Sequence, residues 1–100
     1  MAKISNMSTN FTSFHGTTIR TTVHLLKTKF GQPEWEDNTG EDKANFDWVG
    51  ETQDGDVFTI YDWKEYRAIS QHEIIDFHIG GNSQYITSTA KQELKNLING

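Results

Sequence analysis

The stretch Thr17-Thr18-Ile19-Arg20-Thr21-Thr22-Val23-His24-Leu25-Leu26-Lys27-Thr28-Lys29-Phe30 decides how the fold is read. Ile19, Val23, Leu26 and Phe30 recur at steps of four, three and four, with Leu25 beside them. That spacing marks one face of an amphipathic helix. Gly16-Thr17-Thr18 offers a turn and a hydroxyl N-cap ahead of it. Lys27 and Lys29 fall in the last turn, where the helix dipole favours cations, and Gly31 with Pro33 ends the run. The spacing therefore predicts a helix over 17–30, against the strand preference of its β-branched threonines.

Downstream the period changes. Ala44, Phe46 and Trp48 alternate with Asn45 and Asp47, which predicts a strand with one wet face. Gln53-Asp54-Gly55-Asp56 is a turn, because Asp-Gly reaches positive φ at little cost. Val57–Trp63 reads as a second strand and Glu73–Ile79 as a third, with Ile75, Phe77 and Ile79 on one side. Gly80-Gly81-Asn82 breaks the third strand. Ser83 then caps a final helix whose apolar face is Ile86, Ala90, Leu94, Leu97 and Ile98. The expected architecture is α+β, a two-layer sandwich ordered helix, three-stranded antiparallel meander, helix, with both helices on one sheet face. Upstream, residues 1–13 read as a flexible tail and 14–100 as a single domain.

The composition fits one small domain. At 100 residues the chain can bury roughly 60–70% of its unfolded surface, and 12% aromatics compensate for few aliphatics. It has no cysteine, which removes disulfides and thiolate metal sites and favours a reducing compartment. The N-terminal segment has no apolar signal-peptide core, and no apolar run approaches the ~20 residues of a membrane span. Asn6-Met7-Ser8 and Asn10-Phe11-Thr12 match the glycosylation pattern, which has no consequence without secretion.

Charge is distributed unevenly. Between Glu34 and Asp56 nine acids (Glu34, Glu36, Asp37, Glu41, Asp42, Asp47, Glu51, Asp54, Asp56) face one base, Lys43, a formal −8. The rest of the chain carries five acids and eight bases, +3. Carboxylates spread over a loop and a hairpin can dock on a basic surface and speed association, though a solvated acidic face is the simpler use of them. Glu34, Trp35, Glu36, Asp37, Glu41, Asp42, Asp54, Asp56 and Tyr66 are the candidate partner-binding residues on this reading.

Two further places could hold a small ligand. Tyr61-Asp62-Trp63-Lys64-Glu65-Tyr66-Arg67 packs three aromatics, two acids and two bases into one strand end, a composition suited to stacking a base and holding its phosphate. A strand end with core aromatics and a salt-bridged turn has the same composition. Gly80-Gly81-Asn82-Ser83, with His78 just before it, joins a strand to a helix N-terminus and could bind an anion or simply make a tight turn. The candidate ligand residues are Trp63, Lys64, Tyr66, Arg67, His78, Gly80, Gly81 and Ser83. A meander places Lys64 and Arg67 at the opposite sheet end from Gly80, about 20 Å away. Asp62 and Asp76 could meet across neighbouring strands as a carboxylate pair. His15, His24, His72 and His78 fit no zinc spacing, and no serine lies in a nucleophile elbow, so neither a metal, a cofactor nor catalysis is expected.

The run Phe58–Arg67 followed by Phe77-His78-Ile79-Gly80-Gly81, with Lys29-Phe30-Gly31-Gln32-Pro33 and Asp42-Lys43 upstream, resembles small uncharacterised proteins encoded by bacteriophages. In size and acidity the chain is similar to phage proteins that disable host defence, including anti-CRISPR-type inhibitors and sponges for cyclic-nucleotide signals. The resemblance implies a phage accessory protein in the cytoplasm of an infected bacterium. It would inhibit a defence or nucleic-acid-processing complex by stoichiometric binding through the acidic surface. The alternative is an oligomeric binder that sequesters a nucleotide signal. Membrane association and direct nucleic-acid binding are not expected.

Overall fold

The computed structural model describes residues 1–5, 7–9 and 12–100; both glycosylation patterns include residues outside that set. One antiparallel sheet dominates it. The strands are β1 (Lys3–Ile4), β2 (Ser13–Thr21), β3 (Trp35–Glu36), β4 (Phe46–Glu51), β5 (Val57–Tyr61) and β6 (Ile75–Gly81). Their order across the sheet is β1-β4-β5-β6-β2, with β3 also on β4. Helix α1 covers 23–30 and α2 is Gln84–Asn99.

The helix–meander–helix sandwich expected from the sequence is therefore corrected to a six-stranded sheet with one short and one long helix. The difference lies in the opening stretch. Residues 17–21 extend β2, which pairs with β6 from Thr18↔His78 to Thr21↔Ile75. Thr17, Ile19 and Thr21 turn inward while Arg20 stays exposed, so the period there is two. Threonine and isoleucine, stiff at χ1, fit a pleated surface better than a helix. The step from Ile19 to Val23 that imitates a helical turn spans the junction between strand and helix. Thr22 is the actual N-cap, its Oγ1 accepting from Leu25 N–H at 3.0 Å. The helix starts with a four-residue bond from Leu26 N–H to Thr22 and ends with a five-residue one from Gly31 N–H to Leu26.

The segment expected as a tail contributes to the sheet. Lys3 and Ile4 pair with Glu51 and Gly50, and Ala2 is buried in the core. Phe46, Trp48, Phe58, Ile60, Ile75, Phe77 and Ile79 form the core face, covered by Val23 and Leu26 of α1 and by Ala90 and Leu94 of α2. Gly50 lies on this face because a Cβ there would come within 2.6 Å of both Phe30 and Phe58. The Trp48 indole N–H donates to the Gly31 carbonyl at 2.8 Å and ties α1 to β4.

Strands β4, β5 and β6 thus present a second, outer face: Asp47 and Val49, Thr59 and Tyr61, His78 and Gly80. β1 and β2 lie at opposite edges of the sheet. Between them, Ser5, Met7, Ser8, Thr9 and Thr12 line hollows over this outer face.

Candidate functional site

Two hollows meet on the outer face. One, of about 330 Å³, has Tyr61 and Trp63 as aromatic wall, the hydroxyls of Thr9, Thr12, Ser13 and Thr59, and the Gly80 backbone. The other, of about 350 Å³, is lined by Ser5, Met7, Ser8, Glu34 and Val49. Asp47 and Thr9 belong to both. A smaller hollow of about 200 Å³ lies between β2 and α2, where Ile19 and Ile98 are flanked by Arg20, Lys91 and Lys95.

The aromatic wall extends into a cluster. Phe14 stacks on His78 with ring centroids 4.0 Å apart, Tyr61 meets His78 at 5.4 Å, and Trp63 lies 5.9 Å from Tyr61. Phe14 reaches His78 through a bulge, since three residues of β2 lie between Phe14 and Thr18 while one of β6 lies between their partners Gly80 and His78. Gly16 takes φ +87° inside that bulge. Partial burial lowers the His78 pKa, which favours the neutral imidazole as a stacking surface.

Trp63 carries cations. The ammonium groups of Lys64 and Lys43 lie 5.5 and 5.9 Å from its ring centroid. Lys64 has φ +56° and Tyr66 φ +52°, a left-handed conformation that costs a non-glycine residue about 1–3 kcal/mol. Surrounding bonds hold the loop there. Lys64 N–H donates to the Lys43 carbonyl, and Asp62 accepts from Asn45 N–H and Phe46 N–H, each at 2.8 Å. Asn45 Nδ2 donates to the Arg67 carbonyl at 2.7 Å, and Asn38 exchanges two bonds with the Ile69 backbone. Loops 37–45 and 62–73 are thereby joined into one mount for Trp63.

Asp47 is electrostatically distinctive. Burial, then Glu34, then Asp62 push its carboxyl up to about 6. Its Oδ1 is buried and accepts no hydrogen bond among the described residues. The same burial, with Asp47 beside it, raises the Tyr61 hydroxyl above its ordinary value. A carboxyl whose folded pKa lies above its unfolded one adds stability at low pH and withdraws it as pH rises from about 4 to about 6. Discounted for its partial exposure, that loss is about 1–2 kcal/mol. Asp47→Asn should therefore stabilise the domain by about 1 kcal/mol at pH 7.5 and by nothing at pH 4 in urea unfolding; an equal effect at both pH values would contradict the assignment.

The structure brings together Trp63, Lys64, His78 and Gly80 of the residues singled out from the sequence, with Gly80 and Trp63 on one hollow. Trp63 and Gly80 line one hollow, whereas Lys64 and Arg67, the residues expected about 20 Å from Gly80, do not line it. Arg67 is not among the residues brought together: Glu73 and Glu65 hold its guanidinium, at 2.8 Å for the Nη1 contact and 3.1 Å for Glu65. Tyr66 is exposed and Ser83 serves as N-cap of α2, accepting from Ile86 N–H. Gly80 and Gly81 are laddered on both sides, to β5 and to β2, so their backbone is spent in the sheet. Asp62 is buried as a backbone acceptor while Asp76 lies outside with Arg20, so the two do not meet.

The acidic stretch divides. Glu36 pairs with Lys27 at 3.0 Å and Glu51 with Lys3 at 3.9 Å. Glu34, Asp37, Glu41 and Asp42 lie toward the Phe46 end of β4, beside half-exposed Trp35. Asp54 and Asp56 lie beyond the other end, about 17 Å along the strand. Among the histidines, His24 and His72 face each other at 4.6 Å and His15 contacts the Gly81 carbonyl. Among the described residues no group of three His, Asp or Glu side chains is placed to hold a metal, and no helix is long and apolar enough to cross a membrane. The sequence does not mark Asp47, Phe14 or Lys43 for ligand binding, and Tyr61 enters only as the first residue of the Tyr61–Arg67 stretch. The alternation that sets Asp47 opposite Phe46 and Trp48 was the signal for the first of them.

Comparison with family models, with curated proteins and with solved structures gives no match.

Proposed function

We propose that this protein is a non-catalytic ligand-binding domain whose outer-face cleft takes up a nucleotide, acting in the cytoplasm of a bacterial host as a phage-encoded sponge. The observation that supports this reading is that Tyr61 and Trp63 wall a cavity while two lysine ammonium groups stand over Trp63. An aromatic face stacks any base for about 1–3 kcal/mol, and adjacent lysines suit the anionic phosphate. The strain at Lys64 and Tyr66 fits a mount kept for a site.

Thermal unfolding against a panel of linear and cyclic nucleotides tests it. A ligand at a hundredfold excess over its Kd should add about 2.7 kcal/mol, roughly 10–20 °C in Tm for a domain of this size. Trp63→Ala should abolish the shift and cost under about 1 kcal/mol of stability, because Trp63 is 39% exposed. No shift with any nucleotide, or turnover of one, would contradict the reading.

A second reading draws on Trp35, which is 40% exposed in the two-residue strand between Glu34 and Asp37. That edge could dock on a basic host protein as an apolar anchor with an acidic surround. The division of the carboxylates between two ends of β4 leaves it a smaller surface than the sequence suggests. A nucleotide panel without effect would move this reading to the front.

A further inference from the structure

We propose that the open edge of β2 is a docking site for an extended acidic segment of a partner protein. The segment adds to the sheet as a further strand and sets one apolar side chain in the hollow between β2 and α2. This hollow shares no lining residue with the outer-face cleft, and the proposal does not depend on the nucleotide reading.

β2 stands last in the sheet order, so β6 satisfies only one of its two sides. In an antiparallel strand alternate residues direct N–H and C=O to each side, which leaves a row of donors and acceptors along the far one. Among the described residues, no backbone hydrogen bond outside the sheet ladder uses residues 13–21. Past the Gly16 bulge the strand is regular from Thr18 to Thr21. Two residues of that part, Ile19 and Arg20, line the hollow of about 200 Å³ together with Ile98 of α2. A strand laid along this edge therefore passes an apolar recess as it pairs, and such recesses give added strands their specificity.

Charge selects the strand. Arg20, Lys91 and Lys95 gather at this one hollow in a chain of net charge −5. Lys91 and Lys95 stand one turn apart on α2, a like-charge pair that costs a helix a little stability. Neither forms an ion pair among the described residues. Glu93, the acid of α2, is turned instead toward the Met1 amino group and the Gln53 N–H. Arg20 meets Asp76 at 3.4 Å with both side chains exposed, a contact that a competing carboxylate displaces at small cost. A second copy pairing through β2 would set cation against cation. A nucleic acid would leave the apolar recess and the backbone row unused. An acidic strand uses the cations, the recess and the backbone together, and the same cations guard the open edge against indiscriminate pairing.

Fluorescence anisotropy of the full chain with labelled decapeptides, glutamate alternating with valine, leucine or phenylalanine, tests the proposal. At least one should bind, and nitrogen-15 spectra should show the Thr18–Thr21 amides moving while the Trp63 indole stays in place. Lys91→Glu combined with Lys95→Glu should keep the wild-type Tm and weaken that peptide about tenfold or more. The same peptide with lysine in place of glutamate should prefer this variant to the wild type. Two prolines at the centre of the acidic peptide remove backbone donors at unchanged charge and should abolish binding. Failure of all three peptides, undiminished binding to the charge-reversed variant, or binding that survives the prolines would overturn the proposal. So would a wild-type dimer that covers β2, or tighter binding of a single-stranded oligonucleotide that depends on the same two lysines.

Discussion

Replacing Asp62 by alanine is expected to lower the unfolding free energy by about 3–5 kcal/mol. The side chain is 1% exposed, and its carboxylate is the acceptor for the amides of Asn45 and Phe46 at the point where loop 37–45 enters β4. Alanine leaves two buried donors without partners, and each such group costs about 1–3 kcal/mol. Water cannot readily reach them, because Asn45 is itself buried with Gly40 N–H and the Arg67 carbonyl as partners. Asp62→Asn keeps one acceptor oxygen and should cost about 1–2 kcal/mol. In urea, the midpoint of the alanine variant should fall steeply with m unchanged. A loss below 1 kcal/mol would mean that the two loops are held by something other than this carboxylate. Burial raises the Asp62 pKa against the backbone bonds that lower it, so its stability contribution, like that of Asp47, declines as pH rises above the unfolded carboxylate range.

The second large effect is expected at Trp48, where alanine should cost about 3–5 kcal/mol. Trp48 has no exposed surface, stacks on Phe46 at 5.6 Å, meets Phe77 edge-on at 5.9 Å, and donates to Gly31. Small domains have only about 5–15 kcal/mol in total, so Trp48→Ala should be mostly unfolded or close to it at 37 °C. Trp48→Phe retains most of the packing and loses the indole donor, leaving the Gly31 carbonyl without it. It should fall between alanine and wild type by differential scanning calorimetry. Trp35 and Trp63, both partly exposed, should tolerate alanine within about 1 kcal/mol. A Trp48→Ala protein with near-wild-type Tm would contradict the placement of this ring at the centre of the core.

Much of the sheet is legible in the residues because its strands are one-sided. Phe46 and Trp48 against Asp47, and Ile75, Phe77 and Ile79 against Asp76 and His78, state both the strand and which face is inward. The Asp54-Gly55 turn and the Ser83 cap have local chemistry that leaves few alternatives, and both lie where that chemistry places them. Strand β2 was hidden because one inward residue, Ile19, stands four before Val23, a spacing shared by a helical turn and by this strand–helix junction. Its threonines carry hydroxyls that a hydropathy pattern counts as polar, yet Thr17 and Thr87 satisfy each other inside the core at 2.7 Å. Strand β1 is two residues long and has no period to read.

The candidate site was legible in pieces. Trp63, Lys64 and His78 stood out for their residue types. Their convergence with Asp47 depends on three things no local pattern contains: the placement of Trp63 after Tyr61, the bulge at Gly16, and the placement of Thr9 and Thr12 on the outer-face hollow. The same applies to charge. A run of nine acids reads as one surface, whereas β4 separates its two halves and turns Asp47 between them toward the cleft.

If the cleft beside Trp63 takes up a nucleotide, the three indole N–H signals of a nitrogen-15 spectrum report it in one titration. Adding the linear or cyclic nucleotide that raises Tm most should move the Trp63 indole resonance progressively to saturation, while those of Trp35 and buried Trp48 stay in place. A titration in which Trp63 does not respond, or in which Trp35 alone responds, would contradict the account.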